Sequence, residues 1–140
     1  MTKSSIFAIF MLIALVGCKN VEPGDLAGTW MLEDASRQVL PPELQKAPAK
    51  IVLNANGTFV ASAIPGLFEF PGHPMQLEAG RGVWQLVSRE GERHVQLNFQ
   101  VIENWKDGLP YGTQLFVSKG SLVYFLGDPD EQRGVAFQKH

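Results

Sequence analysis

A single thiol at Cys18, three imidazoles and one short acidic run are the side chains of this 140-residue chain whose types could carry covalent, metal or acid–base chemistry. The imidazoles are scattered: His73 falls in a loop, His94 begins a strand on its polar face and His140 ends the chain, so no metal site is expected. Asp128-Pro129-Asp130-Glu131 offers oxygens to a hard cation but lacks the spacing and the glycine of a calcium loop, and it reads as a solvated turn. Gly-x-Ser-x-Gly, His-Glu-x-x-His, P-loop and dinucleotide-turn patterns are all missing, so neither an enzyme nor a cofactor is expected. The stretch from Ile64 to Arg81 does exceed structural need. Loops beyond about 12 to 15 residues are usually functional or disordered, and this one carries Leu67, Phe68, Phe70, Met75 and Leu77, which something must cover.

Cys18 closes a segment with its own logic. Lys3 precedes an uncharged run from Ile6 to Val16, too short for the roughly 20 residues that cross a bilayer, so residues 1–17 read as an export signal that is removed. Leu15-Val16-Gly17-Cys18 resembles the lipobox of bacterial lipoproteins. The resemblance implies cleavage before Cys18 and a membrane anchor of acyl chains, such as palmitate, on its thiol; two or three chains hold stably where one does not. The folded part then contains no thiol and no disulfide, so it depends on its core. Lys19 follows the cysteine where an Asp would favour inner-membrane retention, so in a two-membrane cell the resemblance implies the outer membrane, facing the periplasm. Residues 18–25, with Pro23 and Gly24 and no hydrophobic period, read as a tether able to extend ~25 Å.

What these residues hang on is one domain, 26–140. Twelve basic against 14 acidic side chains, without a basic block, leave no electrostatic footprint for nucleic acid. Apolar and polar residues alternate in eight runs, near 28–34, 49–54, 57–63, 82–88, 93–102, 111–118, 121–126 and 134–139; Val95, Leu97, Phe99 and Val101 make the clearest case. One short helix is expected at 41–46, where Pro sits in the first turn. Tight glycine-bearing turns at 54–57, 89–92 and 119–120 alternate with the longer connections 35–48, 64–81, 103–110 and 127–133. In an up-and-down sheet that pattern gathers the tight turns and both termini at one end and the long loops at a mouth. The fold expected is therefore all-β, an eight-stranded antiparallel up-and-down barrel, with a Greek-key sandwich as the alternative. Trp84, at the head of its run, Trp105 and Tyr111 are expected to rim the mouth together with the 64–81 loop.

Gly28-Thr29-Trp30, Asn56-Gly57-Thr58-Phe59, Gly82-Val83-Trp84 and Phe137-Gln138-Lys139 resemble the landmarks of small bacterial lipocalin-like lipoproteins, over roughly 26–139. Thr-Asp-Tyr and a helix after the last strand, features of the lipocalins proper, are missing. The resemblance implies that Trp30 plugs the closed end and that Lys139, where the family usually has Arg, covers it by a cation–π contact. Two functions stay open at this point. One is binding of a small hydrophobic ligand at the mouth, through Leu67, Phe68, Phe70, Met75, Trp84, Trp105 and Tyr111. The other is a ligand-free module with a filled barrel that docks another envelope protein as an inhibitor or assembly factor.

Overall fold

Period-two alternation becomes strand wherever it occurs in this chain. The computed structural model describes residues 20–66, 75–104, 111–126, 130 and 133–140. Its eight strands are β1 (Gly28–Leu32), β2 (Lys50–Leu53), β3 (Thr58–Pro65), β4 (Leu77–Arg89), β5 (Glu92–Ile102), β6 (Tyr111–Ser118), β7 (Ser121–Phe125) and β8 (Gly134–Lys139). Each pairs antiparallel with the next, and β1 pairs with β8, so the sheet closes on itself as an up-and-down barrel without an edge. The sandwich alternative is thereby excluded.

The turns explain the order. Glu90 and Gly91, and likewise Lys119 and Gly120, both adopt positive φ, the two-residue geometry whose twist matches that of paired strands. In the β2–β3 turn the Asn56 side-chain oxygen accepts from the Thr58 backbone N–H at 3.1 Å and from its hydroxyl at 2.7 Å. These three turns and both ends of the fold share one pole, and the four longer connections share the other.

Inward positions are apolar and outward ones mostly polar. Phe59, Leu97, Leu122, Val135 and Phe137 are each 1% exposed or less, and the Phe59 and Phe99 rings meet edge to face at 4.9 Å. Aromatic and leucine side chains from all around the wall are buried on its inner face, which stabilises the barrel by about 25 cal/mol per Å² of apolar surface.

Two irregularities reset the alternation. Ala61 pairs with Gly80 but Ile64 with Glu78, which leaves an extra residue in β3 near Ala63, whose φ is +52°. Arg81 pairs with Val101 but Gly82 with Phe99, which leaves Gln100 bulged. Val101, expected inside with Phe99, therefore faces out at 37% exposure, and Ile102 takes the inner place at 3%.

The helical segments also differ from expectation. Only a 3-10 turn, Pro42–Leu44, forms within 41–46, while short helices α1 (Pro23–Leu26) and α2 (Asp34–Arg37) form where none was expected. The stretch read as a free tether is folded from Asn20 onward. Arg93 donates to the Asn20 side-chain oxygen at 2.8 Å, Val21 packs against the core, and Glu22 and Asp25 cap α1 reciprocally.

Candidate functional site

Among the described residues, two straps build the pole with the long connections. After β1, Arg37 donates to the backbone oxygens of Gln45 and Ala47 while Gln45 donates to that of Leu40, which folds the connection into a plug with Leu40, Ala47 and Ala49 buried. The Ser36 hydroxyl accepts from the Ala136 N–H at 2.8 Å and ties this plug to β8. After β3, the Tyr124 hydroxyl donates to the Gly66 carbonyl at 2.8 Å, and the Gly66 N–H donates to Gln76 at 3.0 Å, so the loop's two ends close on each other. Met75 and Leu126 crowd Gly66 so closely that a β-carbon there would lie 3.3 and 3.2 Å from them. Among the described residues, Ile64, Met75 and Leu126 give this pole an apolar inner side.

Tyr111 opens β6 here, its ring 6.1 Å from that of Phe99; burial raises its phenol pKa, and a hydrogen bond with Thr113 lowers it in part. Met75 and Tyr111 are therefore at the mouth, as the sequence suggests. Leu67, Phe68, Phe70 and Trp105 lie outside the described residues, as do Cys18 and His73.

Trp84 is a correction. Because β4 starts at Leu77 and not at 82, Trp84 lies well along the strand, beside the β2–β3 turn at the opposite pole. It is 7% exposed, its indole N–H donates to the Asn54 carbonyl at 2.9 Å, and it belongs to the barrel's closure rather than to its mouth.

Gly28, Trp30 and Lys139 do meet at that closed pole. Trp30 and Lys139 are paired in register, and the lysine stem crosses Gly28 so tightly that a β-carbon there would come within 2.6 Å of it. The contact differs from the expected cation–π pair. The Lys139 ammonium donates to the Asp25 carbonyl at 2.7 Å and the Trp30 indole N–H to the Leu26 carbonyl at 2.8 Å, so both side chains hold α1 across the barrel end.

The sequence reading missed Glu78. Paired with the buried Ile64, it sits on the inner face of the mouth, and burial raises its carboxyl pKa above 4.5. A raised folded-state pKa means that this group's contribution to stability is largest below the unfolded value and declines as pH rises through the folded one. Glu78→Gln is therefore expected to raise the thermal midpoint at pH 7 and to leave it nearly unchanged at pH 4; equal shifts at both would contradict the placement.

Among the described residues, no three His, Cys, Asp or Glu side chains gather as metal ligands, and no helix is long and apolar enough to cross a membrane. Comparison with family models, curated proteins and solved structures gives no match to this chain.

Proposed function

We propose that this chain is a lipocalin-like lipoprotein of the cell envelope, anchored by acyl chains on Cys18, whose filled barrel serves as an interaction module for another envelope protein rather than as a carrier. The observation that carries the module reading is the burial of bulky side chains on the inward wall: Phe59, Phe99 and Phe137, with Leu97, Leu115 and Leu122, are each at most 2% exposed, on the side where a carrier would hold its ligand. An eight-stranded barrel with Gly28, Trp30 and Lys139 at its closed end supports the lipocalin-like reading. Asn20 and His140, the ends of the described fold, lie at that pole, so a lipid on Cys18 would turn the mouth away from the bilayer and, in a two-membrane cell, into the periplasm. A second reading is favoured by the apolar mouth. A small hydrophobic ligand would lie on Ile64, Met75 and Leu126, on top of the core rather than within it.

Metabolic labelling with radioactive palmitate tests the anchor. The wild-type chain should take up label and pellet with membranes, and Cys18→Ala should do neither; an unlabelled wild type would end the lipoprotein reading. Replacing Phe68, Phe70 and Trp105 together by Ser separates the two functions. Loss of a co-purified protein supports the module, whereas an intact complex alongside lost fluorescence of an apolar dye supports the ligand.

A further inference from the structure

The outer surface of a barrel wall meets water and has no structural reason to be apolar. Among the described residues, five large hydrophobic side chains are markedly exposed: Val39, Val60, Leu77, Val83 and Val101. All but Val39 stand on the outside of one wall, β3 to β5. The register places Val60, Val83 and Val101 together, with Leu77 further along β4 toward the mouth. Val52, Val60, Arg81 and Val101 form one continuous cross-strand row, and Val83 follows Arg81 on the same face of β4. With ~4.8 Å between strands and ~3.3 Å per residue, the row runs about 14 Å across four strands, so these apolar side chains form a contiguous strip around Arg81 and are not scattered singly.

The Gln100 bulge creates this row. Without it Val101 would share the inner face with Phe99; with it a valine is turned to solvent beside Arg81. Bulges sacrifice ladder pairing and recur where a side chain has to be re-aimed. Arg81 itself is exposed and has no carboxylate within 4.0 Å among the described residues, although valines flank it on both neighbouring strands.

We propose that this wall is a docking face for a protein partner that presents a carboxylate within an apolar surface, with Arg81 receiving the carboxylate and Val52, Val60, Val83 and Val101 the apolar contacts. This rests on the module reading above and adds a second contact face to it, on the barrel's flank. A guanidinium ringed by apolar side chains grips a carboxylate in a fixed two-pronged geometry and gains strength as water leaves. A second copy is the poorer occupant, because a two-fold contact centred here would set Arg81 against Arg81. A bilayer is poorer as well: valines flush with a sheet penetrate little, and among the described residues this wall exposes one Leu, Leu77, and no Trp or Phe to serve as interfacial anchors.

Photo-crosslinking of the full chain in its native envelope tests this, with benzoylphenylalanine replacing Val60 on the wall, Gln114 on the outward face of β6, or Phe68 in the mouth loop. The expected result is a protein adduct at Val60 and not at Gln114, attached to a partner peptide with Asp or Glu among apolar residues. Arg81→Glu should reduce it about tenfold and Arg81→Gln less, both variants keeping the wild-type circular dichroism. An adduct with this chain's own peptides, an adduct with lipid, equal yield at Gln114, or indifference to Arg81 overturns the proposal. Adducts at Phe68 without any at Val60 overturn the wall and leave the module reading standing; no adduct at either position overturns both.

Discussion

Replacing Gly82 by alanine is expected to abolish the closed barrel. A β-carbon at Gly82 would lie 1.9 Å from the Asn98 carbonyl oxygen, 2.9 Å from its carbon and 3.0 Å from the Gln100 nitrogen. All three are backbone atoms of β5, and the bulge at Gln100 presses them toward β4, so relief requires parting the two longest strands. Overpacking in a tolerant core costs about 1 to 3 kcal/mol and more where backbone must move. Against a total stability of roughly 5 to 15 kcal/mol, the loss is large. Urea denaturation followed by circular dichroism would show it, and Gly24→Ala is the control, since nothing lies within 4 Å of that position. A Gly82→Ala midpoint equal to that of Gly24→Ala would mean that β4 and β5 do not approach as described.

Phe59→Ala should destabilise by about 3 to 5 kcal/mol, because it empties a fully buried site and removes the edge-to-face partner of Phe99. It also carries a functional readout. If the interior is packed, the wild type excludes small apolar molecules, and the void left by the ring should admit benzene or xenon as other dry engineered cavities do. Calorimetric titration with benzene would detect binding to the variant alone. Equal uptake by the wild type would reveal space in the barrel and return the ligand reading to first place.

The barrel was legible because its signals are local. Alternation along β5 and β7, and turn residues such as Lys119-Gly120, fix strand faces and pairing together. β4 shows why legibility ended at its first half. From Leu77 to Gly82 the inward positions include Gly80 and Gly82, which carry no apolar bulk. The space over Gly80 is filled from the neighbouring strand by Phe99, whose ring would lie 2.7 Å from a β-carbon there. A period-two search sees no hydrophobic face in such a segment, so this half-strand reads as loop and Trp84 is carried to the wrong pole. The bulges at Ala63 and Gln100 are equally silent, because each arises from pairing with a neighbour and not from the residue itself. Of the candidate mouth, Tyr111 was legible from the start of its strand and Met75 from the length of the 64–81 connection, while Glu78 was hidden in the part of β4 that looked like loop. α1 has one turn only and no hydrophobic period of its own; it is held by Trp30, four residues on, and by Lys139 from the far end of the fold, a contact that the local sequence does not reveal.

The seam between β1 and β8 has a consequence in time. It joins Trp30 to Lys139, nearly the first folded residue to nearly the last, so no shorter length of chain can complete the ring. Until the six residues of β8 arrive, β1 and β7 each display a row of unpaired amides and carbonyls, open to pairing with any other extended chain. Pairings between such remote segments form slowly, on the scale of milliseconds to seconds for all-β domains. The last strand thus acts as a latch, and between synthesis and latching the chain depends on being kept apart from its own kind.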